Sequence, residues 1–195
     1  MEQVRSFIAI ELPTELKLGL AQLEAQMKES KQPWVKWVNP NSIHLTLKFL
    51  GNIAIDRISE ITKAMEEVVQ GIPPFYLKIS GLGAFPNLIR TQVAWVGISG
   101  EIGKLSQLQQ HLESNLTRLS FVPESRPFTP HLTLARLRDR VSLDERQRFG
   151  QLIASTKFEA AYTINVKTIN LIKSQLTREG AIYSKINSVK LKKPF

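Results

Sequence analysis

The chain has 195 residues, of which 43% are hydrophobic and 22% charged, a balance that supplies a real core and excludes a disordered or fibrous protein. Cysteine is absent, which removes disulfides, thiolate nucleophiles and Cys-type zinc sites, so any chemistry rests on His, hydroxyls, carboxylates and cations, with no cofactor expected. The net charge of +9, from 26 Lys and Arg against 17 Asp and Glu, favours a polyanionic partner, RNA or nucleotide first, through counterion release and steering.

The opening "MEQVRSFIAIELP" holds an apolar run of about four residues, short of the ~7 to 15 of a signal-peptide core. Nothing in the chain approaches the ~20 apolar residues that span a bilayer, so a cytoplasmic protein with no membrane partner is expected. "VRSFIAI" reads as a strand, and "PTELKLGLAQLEAQMKES" as an amphipathic helix opened by Pro13 and the capping hydroxyl of Thr14. "SIHLTLKFL" is a second strand, ended by Gly51 and Asn52. A helix "DRISEITKAMEEVVQ" follows with Asp56 at its N-cap, then a break at Gly71, Pro73 and Pro74. Strands "FYLKISGL" and "QVAWVGI" come next, joined by a loop containing Gly83, Pro86 and Asn87, and a helix covers residues 101–119. Beyond the loop "VPESRPFTP" the patterns predict strand "HLTLAR", a helix near 142–154, and strands over 161–173 and 181–191.

Alternation of the two periods makes this an α+β chain. Each "HLTL" strand is followed by a helix and further strands, and no low-complexity linker intervenes. The expectation is one bilobal domain over residues 1–195, with two related lobes sharing an interface, acting as a monomer. The basic "KLKKPF" reads as a tail.

The word "HLTL" stands at residues 44–47 and again at 131–134, in a chain with three histidines. A repeat that begins with so rare a residue arises by accident in on the order of one chain in a thousand. Side chains alternate along a strand, so His44 and Thr46 share one face while Leu45 and Leu47 share the other, and His131 and Thr133 are placed likewise. The leucines anchor each strand in a core. If the lobes face each other across a groove, two imidazoles and two hydroxyls converge there. Histidine, with an ordinary pKa of ~6.5, lets one copy be neutral and another charged at working pH. One imidazole then takes a proton from water while the other gives one to a departing ribose oxygen, and each Thr hydroxyl donates to a non-bridging phosphate oxygen. Spacing does not say which imidazole plays which part. Zinc binding by the pair is the competing use, although Thr is a poor ligand and no third ligand is apparent. His111, in "LQQHLESNL", reads as an exposed or capping residue.

Five stretches, in order "RSFIAIELP", "NSIHLTLKFLG", "FPNLIRTQVAWVGI", "ESRPFTPHLTLAR" and "SQLTREGAIYSKI", resemble the 2H phosphoesterases, named for paired His-x-Thr-x motifs. Within them the chain is similar to the bacterial and archaeal RNA 2′,3′-cyclic phosphodiesterases once described as 2′-5′ RNA ligases. The resemblance implies a bilobal fold with antiparallel sheets lining a central cleft, helices outside, and one motif from each lobe. It implies metal-independent opening of an RNA 2′,3′-cyclic phosphate to a 2′-phosphate. It also implies His44 as proton donor to the leaving 3′ oxygen, His131 as the base acting on water, and phosphate contact from Arg136. Reversible 2′-5′ ligation is allowed by microscopic reversibility. The rival is a non-catalytic module that holds phosphorylated RNA ends in the same cleft.

Arg136 lies five residues after His131, so strict alternation sends it to the opposite face, and it reaches the phosphate only where the strand ends or bulges. Phe49 holds the same offset after His44, where it either stacks a base or is buried in "LKFLG". In "SRPFTPH", stiffened by Pro127 and Pro130, Arg126 either contacts nucleotide or is a solvated loop charge. Phe128 either contacts nucleotide or packs under the loop.

Overall fold

The computed structural model describes residues 2–158, 162–177 and 180–193. In chain order these form β1 (Gln3–Glu11), α1 (Thr14–Lys28), β2 (Val35–Trp37), β3 (His44–Ala54), α2 (Ile58–Val68), β4 (Phe75–Phe85), β5 (Val93–Gly100), α3 (Ile102–Arg118), β6 (His131–Leu137), α4 (Leu143–Ser155), β7 (Tyr162–Val166), β8 (Thr168–Leu176) and β9 (Ala181–Lys190). The strands build two antiparallel sheets, ordered β3-β1-β8-β9 and β2-β6-β5-β4-β7. Helices α2 and α3 cover the first sheet, touching β9 and β3. Helices α1 and α4 cover the second: Gly19 of α1 lies so close to the Tyr162 ring that a Cβ would overlap it, and Phe149 of α4 meets Trp37 edge-on at 6.0 Å.

The bilobal α+β reading holds, but the lobes are not the two halves of the sequence. The expected strand over 161–173 is two strands that part at Lys167: β7 pairs with β4, whereas β8 pairs with β1 and β9. Residues 161, 178 and 179 and the last two of the "KLKKPF" tail lie outside the described residues. Strand β2, too short to show a period of its own, pairs with β6. A 3₁₀ turn at Pro40–Ser42, steadied by the Asn41 N–H donating to the Asn39 side chain at 3.0 Å, then swings the chain into β3 of the other sheet. A single continuous core holds Leu45 and Leu47 together with Leu132 and Leu134. Each buried leucine contributes ~1.5–3 kcal/mol by leaving water.

Several local expectations shift. The Thr14 hydroxyl caps nothing, because Pro13 occupies the N-cap of α1. Asp56 falls in a 3₁₀ turn, Ile55–Arg57, and Arg57 stands at the N-cap of α2 without a side-chain cap bond. Strand β3 continues to Ala54 through Gly51, whose φ of +71° suits glycine. Strand β4 runs through Gly83 to Phe85, since Gly83 is where the Trp95 ring crosses the sheet and a Cβ would overlap it.

Both "HLTL" strands bulge at their second leucine. Against β1, Thr46 pairs with Ala9 and Lys48 with Ile8, leaving Leu47 as the extra residue. Against β5, Thr133 pairs with Trp95 and Ala135 with Ala94, leaving Leu134 extra. The alternation slips by one at each bulge, so Leu47 and Lys48 are both buried, as are Leu134 and Ala135. The lysine thus turned inward has two partners: its Nζ donates to Glu113 Oε2 and to the Val122 carbonyl, each at 2.8 Å. The same carboxylate accepts from Gln109 Nε2 at 3.1 Å and from the Glu124 N–H at 3.3 Å. This joins β3 to α3 and to the loop that leads into β6. The Lys48 side chain is 3% exposed and that of Glu113 19%, so the two ends are unequal. Glu113→Gln strands a buried ammonium and should cost ~3 kcal/mol, whereas Lys48→Met leaves a carboxylate that reaches water and should cost about half that or less. Urea midpoints of the two variants measure the difference.

Candidate active site

His44 and His131 are the first residues of β3 and β6. Each donates a hydrogen bond from Nδ1 to the carbonyl two residues before it: Ser42 at 2.8 Å and Thr129 at 2.7 Å. A carbonyl only accepts, so Nδ1 carries the hydrogen and Nε2 is the lone-pair nitrogen of the neutral ring. Aromatic neighbours hold both rings. Phe7 stacks on His44 at 4.5 Å and Tyr183 meets it edge-on at 5.1 Å, while Phe85 meets His131 edge-on at 4.9 Å.

Burial pushes both imidazoles below their ordinary value of 6.5. The bond to the carbonyl of Ser42 or Thr129 opposes this in each case. Their charged surroundings differ. Arg136 pushes His131 further down, whereas His44 feels both Lys17, which lowers it, and Glu11, which raises it.

The two strands belong to different sheets, yet their Cα atoms approach within 8 Å. The link is short. The Val38 N–H donates to the Leu134 carbonyl at 2.8 Å, and the chain then passes through the 3₁₀ turn straight to His44. Arg136, on β6, also acts on Tyr183 of β9, in the other sheet; burial raises the Tyr183 hydroxyl, and Arg136 and Arg5 pull it down. One guanidinium therefore lies within the electrostatic reach of His131 in one sheet and of the tyrosine packed against His44 in the other.

Thr46 and Thr133 are partly buried beside their histidines, and among the described residues neither hydroxyl is engaged in a hydrogen bond. The bulges decide the residues at the fifth position. Arg136 returns to the His131 face and is exposed, and Phe49 returns to the His44 face, 61% exposed and 6.0 Å from Phe7. Burial of Phe49 is thereby excluded. Arg126 is an exposed loop residue, while Phe128 is half-buried and packs against the main core. His111 is exposed on α3. Sequence reasoning missed Phe7, Phe85 and Tyr183, which frame the imidazoles. Tyr183 lies in the period-2 stretch "AIYSKIN", but its pairing with β8 is what brings it beside His44.

Among the described residues no group of three or more His, Cys, Asp or Glu is placed to hold a metal ion, and no helix is long and apolar enough to cross a membrane. A recess of about 580 Å³ between α2 and β9, lined by Ile58, Thr62 and Asn187 among others, contains none of the residues above.

The sequence profile of the 2′-5′ RNA ligase superfamily matches residues 19–178. The chain belongs to that superfamily. Within it, an RNA 2′,3′-cyclic phosphodiesterase of Methanothermobacter thermautotrophicus is 30% identical over 97% of this chain and 100% of its own length. One of Aquifex aeolicus is 35% identical over 76% of this chain and 78% of its own. Escherichia coli LigT, solved in complex with 3′-AMP, superposes with a TM-score of 0.78 at 25% identity, covering 98% of this chain and all of LigT. The two-lobed α+β architecture is thus one that this chain shares with LigT.

Proposed function

We propose that this protein hydrolyses RNA 2′,3′-cyclic phosphodiester ends to 2′-phosphomonoesters, with His44 and His131 as general acid and base. The observation that carries the reading is the matched pair of imidazoles, each locked with Nε2 free, at the starts of β3 and β6, strands of different sheets that approach within 8 Å. Relatives of similar length named RNA 2′,3′-cyclic phosphodiesterase support the same substrate class.

Water is activated by Nε2 of neutral His131, which takes its proton as the oxygen attacks phosphorus. The bond from phosphorus to O3′ breaks, and protonated His44 gives its Nε2 proton to that oxygen, leaving a 3′-hydroxyl and a 2′-phosphate. Thr46 and Thr133 donate to the non-bridging oxygens, and Arg136 offsets their negative charge. The cation beside His131 favours its neutral, basic form, which supports its part as the base, whereas the charges near His44 oppose each other, Lys17 lowering it and Glu11 raising it. Exposed Phe49 offers a face on which a base stacks, and Arg126, exposed in the loop that leads into β6, a further cation. With an RNA 5′-hydroxyl in place of water, the same groups run the 2′-5′ ligation. Both histidines come from one chain, so a monomer suffices.

Incubating the protein with a 2′,3′-cyclic-phosphate-ended oligonucleotide in EDTA should yield the 2′-monophosphate. Binding without any product would identify an end-binding module instead, and loss of activity in the chelator would point to a metal-dependent hydrolase.

A further inference from the structure

The cations of the second sheet are not spread evenly. Strand β2 pairs with β6 in a register that sets Lys36 directly opposite Arg136, and the Arg138 N–H donates to the Trp34 carbonyl at 2.9 Å just past the strand end. Directly opposed residues of an antiparallel pair point to the same side, with Cβ atoms ~4.5–5.5 Å apart. Lys36 therefore stands beside Arg136 on the face of His131 and Thr133, and Arg138 follows two residues, ~7 Å, further along the same row. All three are exposed, and among the described residues none has a carboxylate partner. Like charges set directly opposite each other destabilise a sheet. An anion lying between them removes that penalty.

We infer that Lys36 and Arg138, continuing from Arg136, hold the phosphodiester of the nucleotide 5′ to the reacting end, so that single-stranded RNA leaves the cleft across the β2–β6 edge. The inference rests on the phosphodiesterase reading above and adds to it a preference for oligonucleotides over a cyclic mononucleotide. A lysine on an edge strand also discourages pairing with a second sheet. That role alone predicts no dependence on substrate length.

Lys36→Ala and Lys36→Arg, both at an exposed position, separate the two accounts. On an oligonucleotide ending in a 2′,3′-cyclic phosphate, Lys36→Ala should raise KM about tenfold more than it does on the cyclic mononucleotide, with kcat little changed. The slope of log(kcat/KM) against log salt should become shallower by about one for the oligonucleotide. Lys36→Arg, which keeps the charge, should restore most of both. An equal effect on the two substrates, or none on the oligonucleotide, overturns the inference. Fluorescence anisotropy with a labelled oligonucleotide ending in a 2′-phosphate tests the same path without turnover. If the unaltered protein processes neither cyclic substrate, the phosphodiesterase reading falls, while the salt slope of this binding, unaltered protein against Lys36→Ala, still decides whether RNA lies along β2–β6.

Discussion

His44→Ala and His131→Ala should each lower turnover of a 2′,3′-cyclic-phosphate-ended RNA by ~10² to 10⁴, the usual worth of a positioned acid or base. The double variant should lose little more than the worse single one, because the two groups act in one step. Leaving-group dependence tells the roles apart. A proton donor matters less when the departing oxygen is already a stable anion, so on a nitrophenyl phosphodiester of a nucleotide the deficit of His44→Ala should shrink while that of His131→Ala persists. Near-normal turnover by both single variants would falsify the acid–base assignment. The folds of these variants should survive, because each ring is only partly buried and the strand is anchored by its buried leucines.

Arg136→Ala should lower kcat/KM by ~10² to 10³, the scale of losing one group that stabilises developing charge, and should also move the pH profile. For the unaltered protein kcat/KM should be bell-shaped, reporting the free enzyme, with its acid limb set by the need for neutral His131 and its alkaline limb by the need for protonated His44. Burial lowers both groups, so the maximum should lie on the acid side of 6.5, and activity should already be falling well before pH 8. The sign of the shift follows from the charge. Arg136 depresses His131, so removing it lets that imidazole rise, and the acid limb moves to higher pH. Arg136→Lys should keep most of the limb's position but recover only part of the rate, since an ammonium lacks the bidentate fork. An acid limb that stays put in Arg136→Ala would show that another group sets it.

Much of this molecule is written in local pattern. Period-2 and period-3.6 stretches place nearly every long element, because a strand or helix with one buried face must repeat its apolar residues at that spacing. The pairing of His with Thr on one face and leucines on the other follows from alternation alone, and the leucines are indeed buried. Other features depend on partners distant in the chain. Residues 161–173 look like one long strand, and only pairing with β4 on one side of Lys167 and with β1 and β9 on the other divides them between sheets. Tyr183 carries no local mark of its place beside His44.

The bulges show where the division falls. The residues themselves dictate that two imidazoles and two hydroxyls are presented from strands, since side-chain direction is a property of a few consecutive peptides. Whether Arg136 and Phe49 join them depends on one unpaired residue in each ladder, Leu47 and Leu134, and that slip is set by how β1 and β5 seat against these strands. Register between strands is a long-range energy, summed over every packed pair, and is not encoded in either strand alone. The same holds for the approach of β3 to β6, fixed by the turn through Pro40–Ser42 and by a core common to both sheets.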